Sequence, residues 1–177
     1  LKNTNNLKTK IINDLEYQSN DFINNLGFVS NFKINLKNSN TLGKQDDIYK
    51  SSPQIELMSI FELTSSLPLI KQNNNYNNIF TPKVSLRFNP SDMKDYSTSE
   101  KNITVNNIFN INRLGLDDSF EEGKSLTLGF DYKKEKLNDI NKYFDFNLGT
   151  VFRDQEENFI PSSTSLSKKN SNLFGSA

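Results

Sequence analysis

An all-β, antiparallel fold is predicted for this chain by three observations. Side chains alternate with a period of two in four separate runs, no stretch keeps the spacing of an amphipathic helix, and helix-favouring residues are scarce. Asn makes up roughly one residue in six and Ala is nearly absent, so turn and strand formers dominate. Fourteen Phe and many Ile and Leu supply too much apolar surface for a disordered chain.

The elements follow in order. Ile11 to Tyr17 reads as a first, weaker strand. From Phe28 to Lys37, Phe28, Phe32, Ile34 and Leu36 fall on one face and Asn31, Lys33, Asn35 and Lys37 on the other, which only an extended backbone separates. Asn38 to Ser52 reads as a loop, Ile55 to Leu69 as a strand, and Lys71 to Asn78 as a second loop. Phe80, Pro82, Val84, Leu86 and Phe88 then alternate with Thr81, Lys83, Ser85 and Arg87. After the polar stretch Asn89 to Asn102, Ile103 to Ile111 is expected as a strand whose parity slips at Asn106-Asn107 in the manner of a bulge. Leu126, Leu128, Phe130 and Tyr132 alternate with Ser125, Thr127, Gly129 and Asp131, and Phe144, Phe146, Leu148 and Phe152 with Asp145, Asn147, Gly149 and Arg153. Lys133 to Lys142 and Asp154 to Ser163 read as loops, and a last short strand is expected at Ser171 to Ser176. That makes about eight strands in hairpin order, with loop lengths that do not sort cleanly into short and long.

Composition excludes most catalytic chemistry. With no His or Cys there is no Ser-His-Asp triad, imidazole base, thiol nucleophile, zinc-thiolate cluster or disulfide. A net charge of zero, 21 Lys+Arg against 21 Asp+Glu, argues against nucleic acid as a partner. No apolar run approaches the ~18 residues of a membrane helix, and the chain reads as a piece of something longer.

Two architectures share the alternation: a soluble sandwich, which could bind glycans, and a membrane barrel with a lipid face and a polar lumen. Phe-heavy apolar faces, charged polar faces and strands near the about 9 to 11 residues of a spanning strand favour the barrel. Residues 1–177 are then one partial barrel domain with no boundary inside. On that reading Lys33, Asn35, Lys83, Ser85, Arg87, Asn147 and Arg153 face a lumen, as the solvated interior of any barrel would have it.

Three local motifs are weaker. Gly123-Lys124-Ser125 resembles the end of a phosphate-binding loop, but Asp118 stands where that loop needs glycine. The acidic residues Asp117, Asp118, Glu121 and Glu122 lack the regular spacing of a cation loop and are expected in a solvated turn. Asn102-Ile103-Thr104 fits a glycosylation acceptor, an accidental match in so Asn-rich a chain.

A family resemblance rests on longer segments. Asn107-Ile108-Phe109, then Asn112-Arg113-Leu114-Gly115-Leu116-Asp117, then Glu121 to Gly123 and Ser125 to Phe130, resemble the N-L-F...N-R-F-x-G-x-D-R-x-E-x-G...x-G-L pattern of the LptD family. Ser66-Leu67-Pro68-Leu69 with Thr81-Pro82, and Phe146 to Arg153, resemble flanking segments of that family. Asn112, Arg113, Gly115, Asp117, Glu121 and Gly123 occupy the motif positions, while Asp117-Asp118 departs from the family's Asp-Arg. The resemblance implies a non-catalytic lipopolysaccharide-assembly barrel of the Gram-negative outer membrane. Its implied partners are lipopolysaccharide, an LptE-like lipoprotein plug, an LptA-like periplasmic bridge and outer-membrane lipid, with no cofactor. It also implies a position in the middle to later barrel, without the periplasmic jellyroll or the strands of the lateral exit.

Overall fold

The computed structural model describes residues 7–46 and 49–177, the side chain of residue 140 excepted. Its nine strands are β1 (Leu7–Gln18), β2 (Phe22–Ile23), β3 (Val29–Lys44), β4 (Gln54–Ser66), β5 (Leu69–Gln72), β6 (Tyr76–Asn89), β7 (Gly123–Lys136), β8 (Asp139–Arg153) and β9 (Phe174–Ser176). They form one antiparallel sheet in the order β1-β3-β4-β6-β7-β8-β9, with β2 beside β3 and β5 beside β6. The all-β, antiparallel expectation holds. The sheet is open, and among the described residues a single 3-10 turn, Ser162–Thr164, is the one helical element.

β4 and β5 act as one long partner for β6, interrupted at Leu67-Pro68, where the Leu67 amide still donates to the Pro82 carbonyl at 3.0 Å. Several expected loops are strand. Asn38 to Lys44 continues β3, paired with β1 and in part with β4, and all but 137–138 of the stretch Lys133 to Lys142 belongs to β7 or β8. Both faces of these extensions are polar, so no hydrophobic alternation marks them, yet each backbone donor still needs a ladder partner.

Connections do not sort cleanly by length, as the sequence expectation had it. At one end lie the turns 73–75 and 137–138 together with the ten residues 19–28 that carry β2; at the other lie 45–53, 90–122 and 154–173. The strand expected at Ile103 to Ile111 is absent. That segment turns repeatedly, with Ile108 N donating to Thr104 O at 3.0 Å and Asn110 N to Asn107 O at 2.9 Å. Its apolar residues thereby converge instead of alternating.

The polarity of the sheet is inverted relative to a water-soluble protein. On β6, Ser85 and Arg87 are 0% and 4% exposed whereas Leu86 and Phe88 are 52% and 42% exposed. β3, β4, β7 and β8 follow the same rule, with Asn35, Glu62, Thr127 and Arg153 buried and Phe32, Leu63, Leu128 and Phe152 exposed. Segment 90–122, called the strap below, lies across the polar face. Its Met93, Ile103, Ile108, Leu114 and Leu116 pack with Val151 of β8 and with Ile160 and Leu166 of 154–173. The apolar core therefore sits between connections and the polar wall.

Candidate functional site

Where the strap meets the wall, charged side chains from four elements converge. Arg87 of β6 binds Glu62 of β4 through Nη2 at 2.9 Å and Nε at 3.3 Å, and Ser85 Oγ donates to the same carboxylate at 3.0 Å. Arg87 Nη2 also donates to the strap's Asn110 carbonyl at 2.7 Å. Strand alternation puts Ser85 and Arg87 on one face, and the register places Glu62 directly opposite Arg87.

Glu121, at the end of the strap, is held by three guanidinium groups. Arg113 Nε donates to its Oε2 at 2.7 Å and Arg113 Nη2 to its Oε1, Arg153 Nη1 donates to the same Oε1, and Arg87 Nη1 stands 3.9 Å away. Arg113 also donates to Ser125 Oγ and Thr127 Oγ1, each at 3.1 Å, on β7. Burial by itself would raise the Glu121 carboxyl, but Arg113 first, then Arg153 and Arg87, hold it down at about 2. Each charge in the cluster faces an opposite one, although Glu62 Oε1, Arg87 Nη1 and Arg153 Nε make no hydrogen bond of their own, and the cluster anchors the strap to the wall.

A second anchor lies at Asp118. Its carboxylate, 0% exposed, accepts from the hydroxyls of Tyr49 and Tyr96 and lies 3.5 Å from Lys94 Nζ. Lys94 reaches the wall too, 2.7 Å from Glu56 of β4 and 3.2 Å from Ser39 of β3. Burial would raise the Asp118 carboxyl, and the two tyrosines and Lys94 outweigh it, leaving it depressed. Both phenols are pushed well up, by burial and by the adjacent carboxylate.

The motif residues serve this anchoring. Asn112 closes a turn, its Nδ2 donating to Leu116 O at 2.9 Å and its Oδ1 accepting from Leu116 N at 3.1 Å, around Gly115 at φ +59°. Gly123, at φ +82°, lets β7 start against Arg153 and Glu157, whose atoms would lie 3.2 Å from an added Cβ. Phe109 lies on a flat patch of wall where Gly129 pairs with Gly149, its ring 2.9 Å and 3.3 Å from the Cβ positions those glycines lack. Asp117 is exposed and 3.4 Å from Lys10.

All the polar-wall residues read from the sequence lie on one face, but they divide by burial. Ser85, Arg87, Arg153 and Asn35 are buried, Asn35 donating to Glu16 at 3.3 Å. Lys33, Lys83 and Asn147 keep partial exposure. Lys33 approaches Glu62 at 3.8 Å, Lys83 pairs with Asp131 at 2.8 Å with the Phe109 ring 4.4 Å away, and Asn147 donates to Asp145 at 2.8 Å. The acidic segment is no solvated turn: Asp118 and Glu121 are buried by cationic and phenolic partners, and the Glu122 carboxylate accepts the Met93 amide at 3.0 Å. Among the described residues no group of three or more acidic side chains is placed to hold a metal ion. Gly123-Lys124-Ser125 opens a strand.

Sequence reasoning missed Glu62 as the partner of Arg87, and missed that Tyr49, Tyr96 and Lys94 surround Asp118. Glu62 carried a signal, a carboxylate at a polar-face position between Phe61 and Leu63, and Asp118 stood out as a departure from the family pattern.

Compared with family models, the chain matches LptD, LPS transport system D, over residues 19–177. No curated protein and no solved structure matches it. The matched span takes in the strap, both anchors and β2 to β9, and the motif residues lie where strap and wall are tied together. On that match the chain belongs to the LptD family, a family of lipopolysaccharide transport.

Proposed function

We propose that this chain forms part of the wall of an outer-membrane β-barrel that passes lipopolysaccharide to the outer leaflet without catalysing a reaction. The inverted sheet is the observation that carries this reading. On β6 the outward apolar positions run from Phe80 to Phe88, nine residues, within the about 9 to 11 of a tilted spanning strand. Phe144 to Phe152 on β8 gives the same length. Water cannot be the solvent of a face presenting Phe32, Leu63, Leu86, Leu128 and Phe152 side by side, because leaving such area wet costs about 25 cal/mol per Å². A sandwich would cover that face with a second sheet.

The open edges, β1 and the part of β8 that β9 leaves unpaired, would pair with further strands of the same barrel, since unpaired backbone groups in lipid cost several kcal/mol each. The two shortest turns, 73–75 and 137–138, share one end and the two longest connections, 90–122 and 154–173, the other, which fits the periplasmic and extracellular sides of such barrels, respectively. The polar face is then the lumen, with the strap folded into it from the extracellular side. Lys33, Lys83 and Asn147, which keep partial exposure, suit the phosphorylated saccharide of the cargo or a lipoprotein plug of the LptE kind. An LptA-like bridge would deliver the cargo from the periplasm.

The test is site-specific photo-crosslinking in the full-length protein within cells. A probe at Asn147 or Lys83 is expected to capture lipopolysaccharide or the plug lipoprotein, and the same probe at Phe146, outward in the periplasmic half, neither. Absence of both adducts at the polar positions, with lipopolysaccharide export intact after depletion, would overturn the assembly reading. Ser85 makes a poor probe site because the strap covers it.

A further inference from the structure

We propose that the outward rim at the short-turn end, formed by Lys71, Lys134 and Lys136 around Tyr76, seats against the anionic headgroups of a phospholipid leaflet. This rests on the membrane reading above. The register fixes the geometry: Lys71 of β5 and Lys134 of β7 flank Asn78 of β6, and Lys136 is the cross-strand partner of Tyr76. At about 4.8 Å between neighbouring strands, Lys71 and Lys134 stand about 10 Å apart, the scale of adjacent headgroups. Asn78, Lys134 and Tyr76 lie just beyond Phe80 and Tyr132, where the apolar band ends.

Charge is segregated across the sheet at this end. Asp131, Glu135 and Asp145 lie on the opposite face: Asp131 pairs with Lys83 at 2.8 Å, Glu135 with Lys133 at 2.8 Å, and Asp145 stands opposite Lys133 in the register, while Asp139, the register partner of Lys136, is engaged by Lys142. None of Lys71, Lys134 and Lys136 has a carboxylate within 4.0 Å among the described residues; Lys134 Nζ instead lies 4.7 Å from the centre of the Tyr76 ring. Lys142 is left out because Asp139 neutralises it at 3.2 Å. At the other end of β6–β8 the rim offers Lys124, with Asp154 lining the same groove. Three unpaired ammonium groups with apolar stems, an aromatic ring beside them and an apolar band below match a surface of phosphate diesters over acyl chains.

The experiment places p-benzoylphenylalanine at Phe80 or at Phe88 in the full-length protein. The protein is reconstituted in vesicles of equal phosphatidylglycerol and phosphatidylcholine, and mass spectrometry reads the lipid class of the adducts. Phosphatidylglycerol adducts should exceed phosphatidylcholine adducts several-fold at Phe80 and stay near parity at Phe88. The Lys71→Gln/Lys134→Gln/Lys136→Gln variant should bring the Phe80 ratio to parity, as should salt near about 0.5 M, where charges separated by more than several ångströms are screened. Parity at Phe80 in the unmodified rim, an equal excess at Phe88, or a ratio indifferent to the triple substitution would overturn the proposal. Lipid adducts at neither position would instead remove the membrane reading, and the rim with it.

Discussion

Glu121 meets three arginines in a place closed to water, and its neighbours set the cost of changing it. Removing one partner of a buried, hydrogen-bonded charge pair costs about 3–5 kcal/mol, because the remaining charges are left uncompensated. Glu121→Gln should therefore destabilise the protein by that amount, far more than Asp117→Asn, whose carboxylate is 80% exposed. Urea unfolding of the full-length protein in bilayers checks the difference. The same carboxylate predicts a pH response. A group whose folded pKa is depressed contributes stability above its unfolded value and loses it as pH falls through the folded one. For Glu121 the window runs from the ordinary carboxylate value down to about 2, and depressed Asp118 acts in the same direction. Amides of 90–122 should lose hydrogen-exchange protection between about pH 4 and pH 2, after correction for intrinsic rates, while the central amides of β6 and β7 keep theirs.

Among the elements, the strands decide which face tolerates charge and the strap modifies that rule. Lys at Leu86 or Leu128 should cost about 2–4 kcal/mol at mid-membrane depth, whereas Lys at Asn147 should cost little. Alternation alone would extend that tolerance to Ser85 and Thr127. Both are fully buried beneath the strap, so Lys there must displace it and should be nearly as damaging as on the lipid face. Folding yields of the five variants in lipid vesicles test both rules together. Strap and wall also meet at Gly129 and Gly149. A Cβ at Gly129 would lie 2.4 Å from the Leu148 carbonyl and 2.9 Å from Phe109, against 3.3 Å to Phe109 at Gly149. Gly129→Ala should therefore loosen the strap more than Gly149→Ala, read by proteolysis within 90–122.

For the molecule as a whole, the membrane reading gives one open sheet two solvents to satisfy. On that reading its outward face is covered by lipid and its edges, β1 and the part of β8 that β9 leaves unpaired, by further strands, so residues 1–177 expressed alone should aggregate or form inclusion bodies. A monodisperse monomer that melts cooperatively without detergent would refute the membrane reading. The strap and 154–173 supply an apolar core of their own on the polar face, so the chain is held together by its connections as well as by its ladder.

Period-two alternation was enough to read the sheet, its hairpin order and the sorting of Lys33, Lys83, Arg87 and Arg153 onto one face, because pleat geometry is local and admits no other separation. It lost β3 beyond Lys37 and the facing ends of β7 and β8, where both faces are polar and the ladder persists without a hydrophobic signal. It misread Ile103 to Ile111, because apolar residues that converge through turns can imitate a strand with a bulge. Motif spelling marked Arg113 and Glu121, but their bond to each other and to Arg153 depends on the strap lying across β7 and β8. Local pattern does not encode that long-range packing. Asp118 shows the division most clearly: the sequence registered it as a departure from the family pattern, and the tertiary fold, by bringing Tyr49, Tyr96 and Lys94 around it, made that departure a buried anchor.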